Sequence, residues 1–316
     1  MTTVSVIIPC YNHGRFLRDA IESVRRQSWP AVEIFVIDDG STDDSRAVAS
    51  AFADVTLIRQ SNQGLSAARN AGLQVSSGDI LIFLDADDVL LPGAAEAAVR
   101  SLTATPEAMM TFGRLEYMDV EGRPLDNPVP RVTSNFYEEF LRRNYIRTPA
   151  VAAFRRGTFD LVGGFDPSCS PSADYDLYLR ISRCFTIAAH DVPVGRYRQH
   201  PGSMSRNARL MLPATLRVLK RQRPIVKQAP ALSAAYRFGL RRCREFYGEQ
   251  LVEQFRTALR TPHGGREALA CAFDLLRLYP RGVVKHLLKK AAIALGHDGR
   301  ARPDADTAAP SSRASI

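Results

Sequence analysis

Three acidic side chains follow an apolar run in LIFLDADDVLLP, residues 81–92: Asp85, Asp87 and Asp88. Carboxylates a few ångströms apart repel one another, and burial destabilises each ionised group, so a cation is expected beside them. At a strand end, Asp85 and Asp87 point to one side and are placed to hold a divalent cation that also binds phosphate oxygens. Oxygen ligands favour Mg²⁺ or Mn²⁺ over Zn²⁺. The alternative is that these acids cap a helix or lie in a solvated turn.

A second acidic pair follows another apolar run, in VIDDGSTDDS. The residues from Ser41 to Asp44 are typical of a helix start, where short polar side chains accept hydrogen bonds from backbone N–H groups. Asp39 is not needed for that role and is free to accept a hydrogen bond from the ring N–H of a nucleobase. Tyr11 follows the first apolar run and offers an aromatic face on which a base can stack. Taken alone, a tyrosine at this position is more often a core or surface residue.

The elements that must position these side chains are strands that alternate with helices. Apolar runs predict strands at 4–9, 32–37, 55–58 and 80–84, and helical spacing predicts helices that include 65–75 and one that ends at residue 52. This alternation indicates a parallel sheet with helices on both faces. In such sheets ligands bind beyond the carboxyl ends of the strands. We therefore expect residues 9–12, 38–41 and 85–88 to meet at one edge.

After Pro92 the alternation becomes irregular. Helical patterns cover 94–102 and 173–183 and strand-like patterns cover 109–112 and 150–154, which predicts a second half that completes a mixed sheet. We expect a catalytic domain at 1–205 with halves at 1–100 and 101–205, a basic helical region at 206–296, and a disordered polar tail at 297–316.

The composition is that of a soluble globular protein. The chain has 316 residues, of which 45% are hydrophobic and 24% charged, and no run of 18 or more apolar residues is present to span a bilayer. The N-terminal MTTVSVIIPCYN enters a strand pattern directly and has no positively charged leader, so a cytoplasmic location is expected. Five cysteines without a CxxC pair or a zinc-like spacing are expected to be reduced and unpaired.

The net charge of +9 is concentrated in one region. Residues 206–296 hold 19 basic and 5 acidic side chains, whereas acidic side chains are in excess before them. No aromatic residues interleave with the basic ones in a known binding pattern, so nucleic acid is not an expected partner. Near the end, Arg281, Lys285, Lys289 and Lys290 flank apolar residues at helical spacing. This pattern fits a helix that makes peripheral contact with an anionic membrane, and equally a helix packed on the catalytic domain.

Several motifs in order along the chain resemble family 2 glycosyltransferases with the GT-A fold. The match runs over residues 4–88, from VSVIIPCYN through VIDDGSTDDS and SAARNAGL to FLDADD. It continues in GGFD at 163–166, DYDLYLRIS at 174–182 and YRQHPGSMS at 197–205, and nothing comparable follows. The resemblance implies an α/β fold in which a Rossmann-like nucleotide-binding half is fused to a mixed-sheet acceptor half, with a C-terminal helical extension in this chain.

The resemblance assigns the nucleotide contacts to residues at the strand ends and in one following turn. Pro9 and Tyr11 line the base pocket in such proteins, and Asp39 hydrogen-bonds the base, which is usually uracil. Arg69 in the SAARN turn lies near the nucleotide, and Asp85 meets the ribose. These five residues are the expected nucleotide-sugar contacts.

The resemblance also implies a bound Mn²⁺ or Mg²⁺ ion. Asp85 and Asp87 form the DxD motif that meets ribose and metal, and Asp88 is a candidate second metal contact. His200, in the YRQH segment that closes over the diphosphate, is expected to contact metal or phosphate. Arg198 beside it is within reach of phosphate in the same segment.

The catalytic base of the family is an acid in an ED-type motif. That motif reads SADYDL here, so the role falls to Asp174, while the usual preceding Glu is Ala173. The replacement of Glu by Ala173 leaves the acid that would act as the base in place. It removes any support that the Glu would give to the geometry of the acceptor or the metal. Without the resemblance, Asp174 is interpreted as a helix cap or a first-turn acid stabilised by the helix dipole, and the two roles are compatible. Arg180, further along the same segment, is equally suited to pair with a neighbouring carboxylate.

These roles predict a metal-dependent inverting glycosyltransferase that acts in cell-surface polysaccharide biosynthesis. Its nucleotide-sugar donor is expected to be a UDP-sugar. The acceptor is expected to be a glycan or a lipid-linked molecule, with the enzyme in the cytoplasm or at the inner face of the membrane. The alternative is a nucleotide-sugar-binding module without catalysis, which the replacement by Ala173 suggests. A phosphotransferase would need DxDxT early in the chain and a dinucleotide oxidoreductase GxGxxG after the first strand, and neither motif occurs there.

Overall fold

A computed structural model of the chain describes residues 1–30 and 32–294. The chain divides into two compact units, of which the first is Met1–Gln250 and the second begins at Leu251. The expected disordered tail at 297–316 lies outside the described residues. The expected boundary between a catalytic domain and a basic helical region at residue 205 stays a prediction.

In the described part of the first unit, nine strands form one mixed sheet. The strands are β1 Val4–Cys10, β2 Val32–Asp38, β3 Val55–Arg59, β4 Ile80–Phe83, β5 Val89–Leu90, β6 Ala108–Met118, β7 Pro124–Leu125, β8 Ala152–Arg155 and β9 Thr186–Arg198. Their order is β3-β2-β1-β4-β8-β6-β9-β5, with β7 paired to β6. Strands β1 to β4 pair in parallel, and β8 is antiparallel to both β4 and β6. A parallel half followed by a mixed half confirms the predicted fold class.

Helices connect the strands and continue beyond the sheet. They are α1 Gly14–Arg25, α2 Ser45–Ser50, α3 Leu65–Val75, α4 Ala94–Ala104, α5 Phe136–Arg142, α6 Gly157–Val162, α7 Ala173–Cys184, α8 Ala208–Arg221, α9 Arg223–Val226, α10 Pro230–Arg260, α11 Gly265–Leu278 and α12 Pro280–Ala294. Among the described residues, none of these helices is long and apolar enough to cross a membrane. In α1, Phe16, Leu17, Ala20, Ile21 and Val24 share the buried face, which is the 3–4 spacing that makes this segment an amphipathic helix.

The core of the parallel half lies around β1, which is buried at all seven positions. Each aliphatic side chain buried there contributes about 1.5–3 kcal/mol relative to an exposed one. The parallel register aligns the strand ends, because Cys10 pairs with Asp38 and Leu84 N–H donates to the Ile7 carbonyl. The polar residues that follow β1, β2 and β4 therefore share one edge of the sheet, as expected from the sequence.

Helix α3 lies so close to β1 that Gly72 has no room for a side chain. A Cβ atom there would be 2.2 Å from Ile7 Cγ2 and 3.2 Å from Ile37 Cγ1. We expect Gly72→Ala to lower the free energy of unfolding by about 1–3 kcal/mol, as overpacking of a core does. Urea denaturation measures the change. At the matched control Gly157→Ala, a Cβ atom would meet nothing within 4 Å, and stability should hold or rise by about 0.4–1 kcal/mol. Equal stability of the two variants would contradict the close packing.

The second unit contains the paired helices α11 and α12. Ala268, Cys271 and Leu275 form the buried side of α11. Large apolar side chains on both helices are instead exposed to solvent: Leu269, Phe273, Leu276, Val284, Leu287 and Leu288. The basic flank expected for α12 is exposed as well, at Arg281, Lys285, Lys289 and Lys290. This pair of helices therefore presents both apolar and cationic side chains to the solvent.

Candidate active site

The turn after β1 is tied to the turn after β2 by Asn12. Asn12 has a φ of 56°, in the left-handed region that asparagine tolerates better than most residues. Its N–H donates to Ser41 Oγ at 3.0 Å, and its Oδ1 accepts from Thr42 N–H at 2.8 Å. Pro9 is buried in β1, whereas Tyr11 is 45% exposed at the rim. The ring of Tyr11 is thus accessible to a ligand, and the expected base contacts of Tyr11 and Pro9 stay predictions.

Asp39 is a buried carboxylate that organises the approach to α3. It accepts hydrogen bonds from Gln60 Nε2 at 2.7 Å, Gln63 N–H at 2.8 Å and Gly64 N–H at 2.8 Å. A carboxylate has about four acceptor sites, so these three donors leave one for a ligand. The expected hydrogen bond from Asp39 to a base stays a prediction. The structure adds that the same side chain fixes the loop leading to Arg69.

Arg69 supplies one of the cations that the crowded acids require. Its side chain is 2% exposed, and Nη2 donates to Asp85 Oδ1 at 2.6 Å. The guanidinium carbon lies 5.2 Å from the ring centroid of Phe165, and Asp174 also acts on Arg69 electrostatically. Burial alone would lower the pKa of Arg69, but the charges of Asp85 and Asp174 raise it instead. Arg69 therefore stays charged between two carboxylates of the site.

Asp174 lies in the first turn of α7, where its Oδ1 accepts from the N–H of Tyr175 at 2.8 Å. Burial raises the pKa of Asp174 to about 6, the charge of Arg69 opposes the rise, and Asp85 adds to it. A carboxyl group that titrates near neutral pH is suited to accept a proton during a reaction. Asp174 is therefore a first-turn acid, and its expected role as the base stays a prediction.

Other groups of the same segment are structural. Asp176 is buried and accepts from Arg180 Nε at 2.8 Å, which is the carboxylate pairing that the sequence left open for Arg180. Arg180 also donates to the carbonyl of Gly164 at 2.8 Å. Ala173 is buried, with 1% exposure. Its methyl side chain offers no polar contact to Asp174.

Asp87 and His200 form the metal-capable part of the site. Asp87 Oδ2 lies 3.0 Å from His200 Nε2, so the structure brings together two predicted ligands that are far apart in the chain. Burial alone would raise the pKa of Asp87, but the hydrogen bond with His200 and the charge of His13 lower it. His13 belongs to the same group: one ligand atom from each of the three residues lies within 4.8 Å of the others.

His13 was missed by the sequence analysis. The rule that ligands lie beyond strand ends selected residues 9–12 and stopped one residue short of it. The signal that could have found it is the polar turn CYNHG itself, because the turn leads into a helix whose first residues face the same edge. A histidine in such a turn is more often a surface residue, so spacing alone did not single it out.

Asp88 differs from its two neighbours. It is 0% exposed, its Oδ1 accepts from Arg198 N–H at 2.9 Å, and its Oδ2 accepts from Thr148 Oγ1 at 2.7 Å. Burial, followed by the charges of Asp87 and Asp85, raises the pKa of Asp88 well above the ordinary value. Its expected metal contact stays a prediction, and the bonds seen here make it a link between three chain segments.

The buried Arg198 is also used inside the protein. Its Nε donates to the carbonyl of Asp87 at 2.9 Å, Nη1 to the carbonyl of Val120 at 3.0 Å, and Nη2 to Asp19 Oδ2 at 2.9 Å. The expectation that Arg198 reaches phosphate is therefore not supported by its bonding. Its guanidinium holds the backbone that carries Asp87 instead.

A side-chain amide next to Arg69 joins helix α3 to the segment that follows α6. Asn70 Nδ2 donates to the Phe165 carbonyl at 2.8 Å, and Asn70 Oδ1 accepts from the Phe165 N–H at 2.9 Å. A Cβ atom on Gly164 would lie 2.4 Å from Asn70 Oδ1, so only glycine fits beside this pair of hydrogen bonds. The contact fixes the position of Phe165, over which Arg69 lies.

The fold and the arrangement of this edge define the class of GT-A glycosyltransferases. Mannosyltransferase PcManGT from Pyrobaculum calidifontis in complex with GDP-Man and Mn²⁺ matches 94% of this chain and 87% of its own, with a TM-score of 0.57 and 18% identity. S. aureus TarS 1-349 in complex with UDP-GlcNAc matches 89% of this chain and 92% of its own, with a TM-score of 0.54 and 16% identity. At such identities the likeness shows the fold.

The chain belongs to glycosyl transferase family 2, whose model matches residues 5–161. The uncharacterized glycosyltransferase YibD of Escherichia coli (strain K12) is 46% identical over 93 residues, which are 28% of this chain and 27% of YibD. Chondroitin synthase of Escherichia coli is 29% identical over 186 residues, 57% of this chain and 26% of the synthase. The putative glycosyltransferase EpsH of Bacillus subtilis (strain 168) is 29% identical over 148 residues, 46% of this chain and 42% of EpsH. The chain thus spans less than half the length of these three relatives.

Proposed function

We propose that this chain transfers a sugar from a nucleotide-sugar donor to an acceptor hydroxyl, with inversion at the anomeric carbon and dependence on a divalent metal. The observation that carries the proposal is the convergence of Arg69, Asp85 and Asp174 beside the Asp87–His200 pair at one sheet edge. The edge combines a proton acceptor that titrates near neutral pH with a metal-capable pair and an exposed aromatic ring.

The proposed donor is a UDP-sugar. Tyr11 offers a stacking face for the base, Asp39 retains one acceptor site for a base N–H, and Pro9 is the residue that the family resemblance adds to the base pocket. Two solved structures with the same fold are complexes with UDP-GlcNAc and with GDP-Man, which supports the nucleotide-sugar class. Uracil follows from the resemblance of the VIDDGS segment to the family.

The residues present fit a divalent metal ion. Asp87 Oδ2 and His200 Nε2 are 3.0 Å apart, a spacing that suits two ligands of one ion, and the structure with GDP-Man also holds Mn²⁺. Mn²⁺ or Mg²⁺ held by Asp87 and His200 would supply positive charge to neutralise the diphosphate leaving group. Asp85 is paired with Arg69, so in this proposal it positions the nucleotide and contributes less to the metal.

In the proposed reaction, Asp174 removes the proton of the acceptor hydroxyl as the oxygen attacks the anomeric carbon. The bond from that carbon to the diphosphate breaks on the opposite face, so one displacement inverts the configuration. Arg69 helps to keep Asp174 largely ionised at neutral pH, because its charge opposes the effect of burial on the pKa. The chain's own residues thus hold and move the proton.

The acceptor is proposed to be a glycan or a lipid-linked molecule of cell-surface polysaccharide biosynthesis, with the protein at the inner face of the membrane. Leu287 and Leu288 on α12 are 61% and 66% exposed, and Lys285 and Lys289 lie on the same helix. Apolar side chains next to cations suit the interface of an anionic bilayer. The similarity to chondroitin synthase supports a polysaccharide setting.

Donor binding with and without metal tests the proposal. Purified protein is titrated calorimetrically with UDP-, GDP-, dTDP- and CMP-sugars, each with Mn²⁺, with Mg²⁺ and with EDTA, and donor hydrolysis is followed in parallel. We expect one class of donor to bind in a metal-dependent way and to be hydrolysed slowly to the nucleotide diphosphate. Donor binding without hydrolysis or transfer to any acceptor would instead support the alternative, a binding module in which Ala173 marks lost catalysis. No binding of any nucleotide sugar would overturn both.

A further inference from the structure

Three side chains with metal-ligating atoms converge beside the start of α1: His13, Asp87 and His200. One ligand atom from each lies within 4.8 Å of the other two, and the Asp87–His200 pair is already at 3.0 Å. Two ligands on opposite sides of a metal ion, each bonded at about 2.1 Å, are about 4.2 Å apart. The cluster exceeds this spacing by less than about 1 Å, so a small rotation of the His13 ring closes it.

The backbone that carries His13 is fixed on both sides. The N–H of His13 donates to Ser45 Oγ at 3.2 Å, and its carbonyl accepts from the N–H groups of Phe16 and Leu17 at 2.9 and 3.0 Å. The Phe16 ring centroid lies 5.0 Å from that of His200 and 6.4 Å from that of His13. Both imidazoles are therefore held against one aromatic ring, which limits the freedom that metal binding would have to remove.

The positive end of the α1 dipole does not oppose a cation at this place. Asp43 Oδ2 accepts from the N–H of Gly14 at 2.9 Å, so a carboxylate already faces the helix start. Burial raises the pKa of Asp43, but the hydrogen bonds from Ser45 and from the Gly14 N–H leave it lowered, and the group stays ionised at neutral pH. A negative charge at a helix N-terminus offsets the partial positive charge there.

We propose that His13 is a third protein ligand, and that the site is a two-histidine, one-carboxylate site that prefers Mn²⁺ and other transition-metal ions to Mg²⁺. Imidazole nitrogens suit transition-metal ions, whereas Mg²⁺ is held by oxygen ligands and water. Three protein ligands would leave the remaining coordination positions of such an ion open to the oxygens of a diphosphate. The inference rests on the proposed metal-dependent transfer and specifies the class of metal that this function leaves open.

Metal binding to the whole chain in the absence of nucleotide tests the inference. Mn²⁺ and Mg²⁺ affinities are measured by calorimetry, with free Mn²⁺ counted by its EPR signal. We expect His13→Gln to weaken Mn²⁺ binding by at least about tenfold, because even loss of an outer partner of a metal ligand has that effect. Mg²⁺ affinity should change by less than about twofold, because that ion gains little from imidazole.

A matched variant and a rescue variant sharpen the test. His263→Asn removes an exposed histidine of the second unit at a φ of 64°, which asparagine tolerates, and should leave both affinities unchanged. His13→Cys places a thiolate at the ligand position and should bind Zn²⁺ more tightly than His13→Gln does, because thiolates select softer ions. Circular dichroism melting of every variant checks that the fold is retained.

The outcomes separate this inference from the proposed function. Wild-type Mn²⁺ affinity in His13→Gln, together with loss of affinity in Asp87→Asn and His200→Gln, overturns the role of His13 alone. Unchanged Mn²⁺ affinity in all three variants overturns the proposed metal site as well. Weaker binding of UDP in EDTA by His13→Gln, with Mn²⁺ affinity unchanged, would place the imidazole on the diphosphate and also overturn the inference.

Discussion

Replacing Asp174 by asparagine is expected to lower sugar transfer by about 10²- to 10⁴-fold, the usual contribution of a general base, while donor affinity stays within about threefold of wild type. Asparagine keeps the size of the side chain and cannot accept the proton of the acceptor hydroxyl. Rates of nucleotide diphosphate release with acceptor, and calorimetry with donor alone, measure the two quantities separately. The matched control is Asp160→Asn on the exposed end of α6, which should leave both unchanged.

The pH dependence of the wild type follows from the same carboxyl group. Burial raises its pKa to about 6 against the opposing charge of Arg69. A base must be ionised to work, so transfer should rise with pH, reach half of its maximum near pH 6, and level off about one pH unit higher. The residual rate of Asp174→Asn should lack this inflection. A wild-type rate that stays flat from pH 5 to 8 would contradict the assignment of Asp174 as base.

The Asp174→Asn variant is expected to gain stability although it loses activity. Because the pKa of Asp174 in the folded state lies above the ordinary value of 3.8, the native protein binds this proton more tightly than the unfolded chain. Wild-type stability from this group is therefore lost as pH rises from about 4 to about 6, by up to about 3 kcal/mol. At pH 8 we expect Asp174→Asn to unfold at higher urea concentration than the wild type. A gain in stability together with a loss of activity distinguishes a functional acid from a structural one.

Arg69→Met is expected to lower the free energy of unfolding by about 3–5 kcal/mol at pH 8, because it leaves the Asp85 carboxylate without its buried partner. The same change removes the charge that lowers the pKa of Asp174, so any residual transfer should have its inflection above pH 6. Urea denaturation and pH–rate profiles measure the two effects.

A double-mutant cycle tests whether the loss arises from the pair itself. Arg69→Met combined with Asp85→Asn removes both charges, and we expect it to recover about 1–3 kcal/mol relative to Arg69→Met alone. The control is Arg25→Met, which breaks a 2.8 Å pair with Asp54 in which the two side chains are 48% and 51% exposed. Such exposed pairs contribute about 0–1 kcal/mol. If Arg69→Met and Arg25→Met lower the free energy of unfolding equally, burial does not strengthen the contribution of the Arg69–Asp85 pair.

The parallel half of the fold was predictable because its signals are local. Strands β1 to β4 agree with the predicted runs to within one residue at each end, and α3 has the predicted bounds. Strand β9, Thr186–Arg198, was not predicted, because Pro193 and several polar residues break the alternation. Its thirteen residues are strand because they pair with β6, a partner far away in sequence.

The identity of the acidic site residues was also predictable from the sequence, whereas their hydrogen bonds were not. Position at a strand end and in a motif selected Asp85, Asp87 and Asp174, and the structure places them at one edge with Arg69. The bonding of the carboxylates could not be predicted, since the backbone group that Asp88 accepts from is 110 residues away along the chain. Motif position identifies which acids gather, and only tertiary contacts decide which of them stay free for a ligand.

The double hydrogen bond between Asn70 and Phe165 sets an order of events during synthesis. The two residues are 95 positions apart, and a ribosome adds about 5–20 residues per second, so Asn70 waits on the order of 5–20 s for its partner to emerge. Until then the strands around β1 can pair, but Arg69 has no Phe165 beneath it and Asp174 does not yet exist. The N-terminal part of the nascent protein therefore carries an incomplete charge cluster for seconds, and completion of the proposed catalytic edge is a late step that depends on a long-range contact.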